Sequence, residues 1–178
     1  MSTNHFELLG LTVNYEFDKK ELTDNYRKLQ AQFHPDNFSH SSDMEKRLSV
    51  QHSSQINDAY QTIKEPLRRA IYLLSLLGME LKNNETTIDS IFLMEQMELR
   101  EKLDDISHQA YPLVALEVMS GEISKNINDS IKSISQLFNT DKQHINLDEI
   151  KNTIVKMQFL YKLQQQCEDL EEDLENQF

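Results

Sequence analysis

Only three glycines (Gly10, Gly78, Gly121) and three prolines (Pro35, Pro66, Pro112) interrupt 178 residues. That is too few for the turns of an all-β or α/β fold of this length, so an all-helical protein is expected. The same scarcity leaves no glycine-rich loop to cradle a nucleotide phosphate, and no Gly-Lys-Ser/Thr sequence occurs. Cys167 is the only cysteine, which excludes an internal disulfide, a zinc ribbon or an iron–sulfur cluster held by the chain's own thiolates. A reducing compartment fits that usage. Long apolar runs are also missing: the most apolar, AIYLLSLL from Ala70 to Leu77, is too short to span a bilayer. The opening MSTNHFELLG has neither a basic nor an apolar signal region, and a cytoplasmic protein is expected.

Positive charge is the last scarcity. Eighteen Lys and Arg against thirty Asp and Glu give a net charge of −12, which argues against nucleic acid, where affinity comes largely from neutralised phosphates. The excess is uneven. Residues 1–78 hold 9 basic and 10 acidic side chains, residues 79–178 hold 9 and 20, and the chain reads as bipartite. A hydrophobic content of 38% suffices for one ordinary core or two small ones.

Along the first part, HFELLGL is a short helix candidate. Asp18 then opens a longer helix, with Glu21 three residues on in a capping-box arrangement. Leu22, Tyr26, Leu29 and Phe33 recur at helical spacing and make its inward face. Pro35 disfavours helix at His34, so a loop, HPDNFSHSSD, follows. The next helix begins near Asp43 and turns Leu48, Ile56, Ala59, Tyr60 and Ile63 inward. A fourth runs from Pro66, a favoured first-turn proline, to Gly78, a favoured helix-ending residue. Residues 79–88 are polar and aperiodic and read as a linker. Three longer helices follow, at Asp89–His108, Tyr111–Phe138 and Leu147–Glu175, as expected of a bundle. The run Glu168–Glu175, with six acids in eight positions, reads as a solvated helix end.

The stretch Phe33–Phe38, FHPDNF, sets an imidazole, a proline and a carboxylate side by side between two helices. On residue types alone it is a helix stop with a polar turn. Acid/base catalysis would need a nucleophile, an oxyanion site or a pocket, and none is visible nearby. His34, His40 and His52, with five and eleven residues between them, lack the carboxylates or thiols of a metal site.

NYRKLQAQFHPDNF followed by INDAYQTIKEPLRRAIYLL closely resembles the J-domain. In that family an antiparallel helix pair ends in an exposed His-Pro-Asp loop, and an Asn-x-Ala-Tyr stretch packs in the third helix. The resemblance implies that His34, Pro35 and Asp36, with the solvent face of the second helix around Arg27 and Lys28, dock on a DnaK-type chaperone and speed its ATP hydrolysis. None of them would be catalytic. Asn37 stands where many J-domains carry Lys. On the second helix, Lys20, Arg27 and Lys28 share the solvent side with Asp24, which is spaced to pair with them.

In SIFLMEQMELREKLDDI, Phe92, Leu99, Leu103 and Ile106 fall on one side of a helical wheel. Leu93, Met94 and Met97 fall on or near the other, among Glu98, Glu101, Asp104 and Asp105. Either the helix is sandwiched between two layers, or that face awaits a partner; several unpaired acids beside flexible Met favour the partner.

A J-domain joined to an acidic bundle that opens with FLMEQMELREKLDD resembles the HscB-type co-chaperone of iron–sulfur cluster assembly over essentially the whole chain, including YLLSLLG and FLYKL. Its bacterial type is the better match, because no cysteine-rich region precedes the J-domain. The resemblance implies no cofactor and no enzymatic activity. It implies two partners: an HscA-type chaperone of the DnaK family, and an IscU-type scaffold bound through Leu93, Met94, Met97, Glu98, Glu101, Asp105 and Phe159. Met97 and Asp105 stand where Leu and Glu are common. Phe159 is equally readable as a bundle-core aromatic, since its helix is apolar around much of its circumference. A J-protein serving a different client is the alternative.

Overall fold

The computed structural model describes residues 4–39, 41–81, 90–140 and 145–176. Its helices are α1 His5–Leu8, α2 Lys19–Phe33, α3 Asp43–Lys64, α4 Pro66–Leu76, α5 Ser90–Ile106, α6 Pro112–Asn139 and α7 Leu147–Glu175, with one 3-10 turn at Pro35–Phe38. No strand occurs among the described residues. The chain divides into two compact units, Met1–Met79 and Glu80–Phe178. Most of the expected linker, residues 82–88, lies outside the described residues, as does Asp89 at the expected start of α5.

In the first unit α2 and α3 form an antiparallel pair, and α1 and α4 pack on α3. The helix ends follow local chemistry. The Asp18 carboxylate accepts from the Lys20 and Glu21 backbone N–H groups at 2.7 and 3.4 Å, filling two of the four donors a helix start leaves open. Reciprocal capping boxes occur elsewhere, between Asn4 and Glu7 and between Ser42 and Glu45. Gly78 sits at φ +81°, its N–H bonded to the Ser75 carbonyl and the Met79 N–H to the Leu74 carbonyl; that left-handed C-cap stops α4. Gly10, at φ +68°, ends α1 in the same way.

Phe6, Leu9, Tyr15, Leu22, Ile56, Ala59, Ile63, Ala70 and Leu74 are the buried centre of this unit. Leu48, expected inward, is instead 43% exposed, and Ser49 occupies the inward position at 2%. Ser49, Ile56 and Ile63 are seven residues apart, a step that returns to nearly the same helix face, and the Ser49 hydroxyl is satisfied by donating to the Lys46 carbonyl at 2.8 Å. Of the expected α2 face only Leu22 is fully buried; Tyr26, Leu29 and Phe33 are half-buried. Arg69 is 7% exposed, with its guanidinium 4.4 Å from the Tyr15 ring centroid and 4.8 Å from that of Phe17, while Nη1 donates to the Ile63 carbonyl. The charge lies between aromatic faces and a carbonyl, which offsets its desolvation.

The second unit is a three-helix bundle in which α6 and α7 pack along each other and α5 lies against both. Leu103 and Ile106 of α5, Leu116, Met119, Ile123 and Ile127 of α6, and Phe159, Leu160, Leu163, Cys167 and Leu174 of α7 form its core. Burial pushes the Cys167 thiol up, with Glu168 and Glu171 adding to it against a hydrogen bond involving Ser120. A protonated, buried thiol is unreactive.

Candidate functional site

In the first unit the candidate site is the tip of the α2–α3 pair. Pro35 ends α2 because it has no N–H and disfavours helix at the residue before it. His34, in extended conformation (φ −60°, ψ 129°), caps α2 and at the same time opens the 3-10 turn. Its Nδ1 accepts from the Asp36 N–H at 3.3 Å and lies 3.5 Å from Asp36 Oδ2. The side chains of His34 and Asp36 are 52% and 89% exposed. The pair is presented outward. Among the described residues no cluster of three or more His, Cys, Asp or Glu could hold a metal.

Successive turns of α2 grip α3 behind this tip. Tyr26 stacks on Tyr60 with ring centroids 4.0 Å apart, and its hydroxyl donates to Asn57 Oδ1 at 2.7 Å. Gln30 Nε2 donates to the same oxygen at 2.7 Å and to the Ser53 carbonyl at 3.3 Å, while the Ser53 hydroxyl returns a bond to Gln30 Oε1. Phe33 meets His52 at 5.1 Å between ring centroids. The Asn57-Asp58-Ala59-Tyr60 stretch therefore has a mechanical role: Asn57 accepts two bonds, Ala59 allows close packing at 0% exposure, and Tyr60 stacks. Nothing in the sequence signals Gln30 or Ser53, because neither lies on an apolar stripe.

Arg27 and Lys28 are exposed on α2. The ion pairs that Asp24 is spaced to make with Lys20, Arg27 and Lys28 do not form among the described residues. Surface pairs at this spacing gain little over hydration, so the cations stay available to a partner. Asn37 turns its amide back, and Nδ2 donates to the Ala31 carbonyl at 2.7 Å.

In the second unit the candidate site is the outer face of α5. Phe92 and Leu99 are partly buried against the bundle core, and Leu103 and Ile106 are fully buried. Leu93, Met94 and Met97 are 45%, 63% and 62% exposed, and Ile91, which the sequence pattern does not single out, joins them at 63%. Glu98, Glu101, Asp104 and Asp105 are exposed on the same helix. The helix is not sandwiched: an apolar stripe bordered by carboxylates stands open. Phe159 is placed differently from these residues. It is 9% exposed, its ring meets Phe92 edge to face at 6.0 Å, and the Arg100 guanidinium carbon lies 5.7 Å from its centroid. It is a core aromatic under α5, with only a margin accessible.

An antiparallel helix pair with a histidine-proline-aspartate tip, followed by an acidic three-helix bundle with an open apolar stripe, defines a J-domain co-chaperone with a second, helical unit. Residues 4–72 match the family described as the DnaJ domain, and residues 88–168 match that described as the HSCB C-terminal oligomerisation domain. A co-chaperone protein HscB homolog of Vibrio vulnificus is 41% identical over 172 residues, 96% of this chain and 98% of that one. The chaperone HscB from Vibrio cholerae superposes with a TM-score of 0.85 at 38% identity, over 96% of this chain and 99% of that one. The human co-chaperone HscB superposes at 0.84 with 30% identity, over 94% of this chain and 81% of that one. The chain belongs to the HscB family of J-domain co-chaperones. No helix among the described residues is long and apolar enough to cross a membrane.

Proposed function

We propose that this protein is an adaptor of iron–sulfur cluster assembly with two separate contacts. Residues 1–78 act as the J-domain: His34, Pro35 and Asp36, with Arg27 and Lys28 beside them, engage an HscA-type chaperone of the DnaK family and stimulate its ATPase. Residues 89–178 act as the scaffold-binding domain, capturing an IscU-type protein on Leu93, Met94 and Met97, with Glu98, Glu101 and Asp105 at the rim. Phe159 supports this face from beneath by holding Phe92. The chain catalyses nothing itself, needs no cofactor, and works in the cytoplasm beside its chaperone.

The observation that carries this reading is the open Leu93, Met94 and Met97 stripe on a helix whose other side is anchored in a core. An apolar centre ringed by charge is the usual anatomy of a partner site, and Met adapts to the shape it meets. The exposed tip in the other unit supplies the second contact. Joining the two raises the local concentration of scaffold at the chaperone, so neither contact needs high affinity.

Capture of purified IscU-type scaffold tests the reading. Leu93→Ala with Met97→Ala is expected to abolish capture while basal stimulation of the chaperone persists, and His34→Gln is expected to do the reverse. Retained capture in the first variant means the assigned face is wrong.

A further inference from the structure

We propose that Asn37 is a positioning residue for chaperone stimulation, fastening the turn that carries His34, Pro35 and Asp36 to the end of α2. The proposal deepens the reading given above and rests on it.

The reason lies in what proline removes. In a continuing helix the Ala31 carbonyl would accept from the N–H of the residue four positions on, which is residue 35. Pro35 has no N–H, so the residue that stops α2 also orphans this carbonyl. Asn37 Nδ2 takes the vacant place at 2.7 Å. The same residue is held by its backbone, whose N–H donates to the His34 carbonyl at 3.0 Å. From just beyond the Pro35–Asp36 pair, Asn37 thus ties the turn back at two points, Ala31 and His34, that precede it. The His34 Nδ1 contact with the Asp36 N–H lies inside the loop so closed.

A tip fixed in one arrangement before it meets the chaperone does not have to be ordered on binding. If only a fraction of molecules hold the competent arrangement, apparent affinity falls by that fraction, whereas the effect once bound does not change. Loss of the tie is therefore read in the half-stimulating concentration and not in the maximal rate. An exposed hydrogen bond of this kind corresponds to about two- to tenfold. Asn37→Asp keeps the shape, removes the donor and sets a carboxylate against the carbonyl; Asn37→Ala removes the group.

The test pairs two measurements on the full chain: 15N relaxation of residues 34–39 in the free protein, and a titration of a DnaK-family chaperone's ATPase. Both variants are expected to loosen the turn and to raise the half-stimulating concentration about two- to tenfold with maximal stimulation retained. Unchanged order in the turn overturns the proposal, whatever the ATPase does, because Asn37 would then act by direct contact or not at all. Loosening without a change in half-stimulating concentration overturns it as well. Failure of the wild-type chain to stimulate overturns the underlying functional reading, and that result is seen before any variant is compared.

Discussion

Phe92 meets Phe159 edge to face, ring centroids 6.0 Å apart and planes at 87°, and this contact fixes the rotation of α5. A helix advances about 100° per residue, so holding Phe92, Leu99, Leu103 and Ile106 against the bundle leaves Leu93, Met94 and Met97 outside. The exposed stripe is a consequence of the buried one.

Phe159→Ala should therefore act twice. Loss of a nearly buried aromatic is expected to reduce stability by about 3 kcal/mol, read by urea unfolding, and to weaken scaffold capture because α5 loses its anchor. Phe159→Leu, which keeps an apolar group under Phe92, should recover most of both. Normal capture by a destabilised Phe159→Ala protein would remove Phe159 from the account of the site.

The open stripe should behave oppositely. Leu93→Ala with Met97→Ala is expected to change unfolding free energy by no more than about 0.5 kcal/mol per site, since neither side chain fills the core. Glu98→Gln and Glu101→Gln should slow association with the scaffold and reduce its salt dependence, with little change in dissociation, as expected of charges at a rim. Stopped-flow or surface-binding kinetics at two ionic strengths separate the two rates.

Asn57 holds the hairpin behind the tip. Asn57→Ala deprives the Tyr26 hydroxyl and the Gln30 amide of their shared acceptor, and because water reaches them the expected cost is only about 1 kcal/mol. Tyr26→Phe should cost less, because the stacking on Tyr60 survives. Urea unfolding of both variants checks the order.

His5 gives the first unit a pH dependence. Burial lowers its pKa from 6.5, with Asp58 opposing, and its ring stacks on Tyr72 at 4.3 Å. The unfolded chain then binds the proton more readily than the folded one. This contribution is complete above the unfolded value and is lost as pH falls from there through the lower folded value. Thermal midpoints at about pH 7.5 and about pH 5.5 should differ more in wild type than in His5→Phe, which keeps the stacking and cannot titrate.

Much of this was legible in the sequence, for definite reasons. Pro66, Gly78 and Pro112 mark helix ends that side-chain packing cannot move, and the α5 wheel separates two stripes because both are apolar enough to register. The failures share a cause as well. Ser49 displaced Leu48, and the burial of Arg69 was not read at all, because periodicity assigns polar residues to solvent and cannot see a carbonyl or an aromatic face waiting for them. The tie from Asn37 was invisible because its partner is backbone, and whether the Asp24 pairs form was not legible because spacing permits contact without making it favourable.

The central claim is that one chain couples two contacts, and the steady-state ATPase rate of an HscA-type chaperone, titrated with this protein at a fixed concentration of IscU-type scaffold, tests it most directly. Wild type should stimulate more with scaffold than the sum of either addition alone. Leu93→Ala with Met97→Ala should fall back to that sum, and His34→Gln to the rate with scaffold alone. Full synergy in the Leu93 and Met97 variant, or none in wild type, would contradict the account.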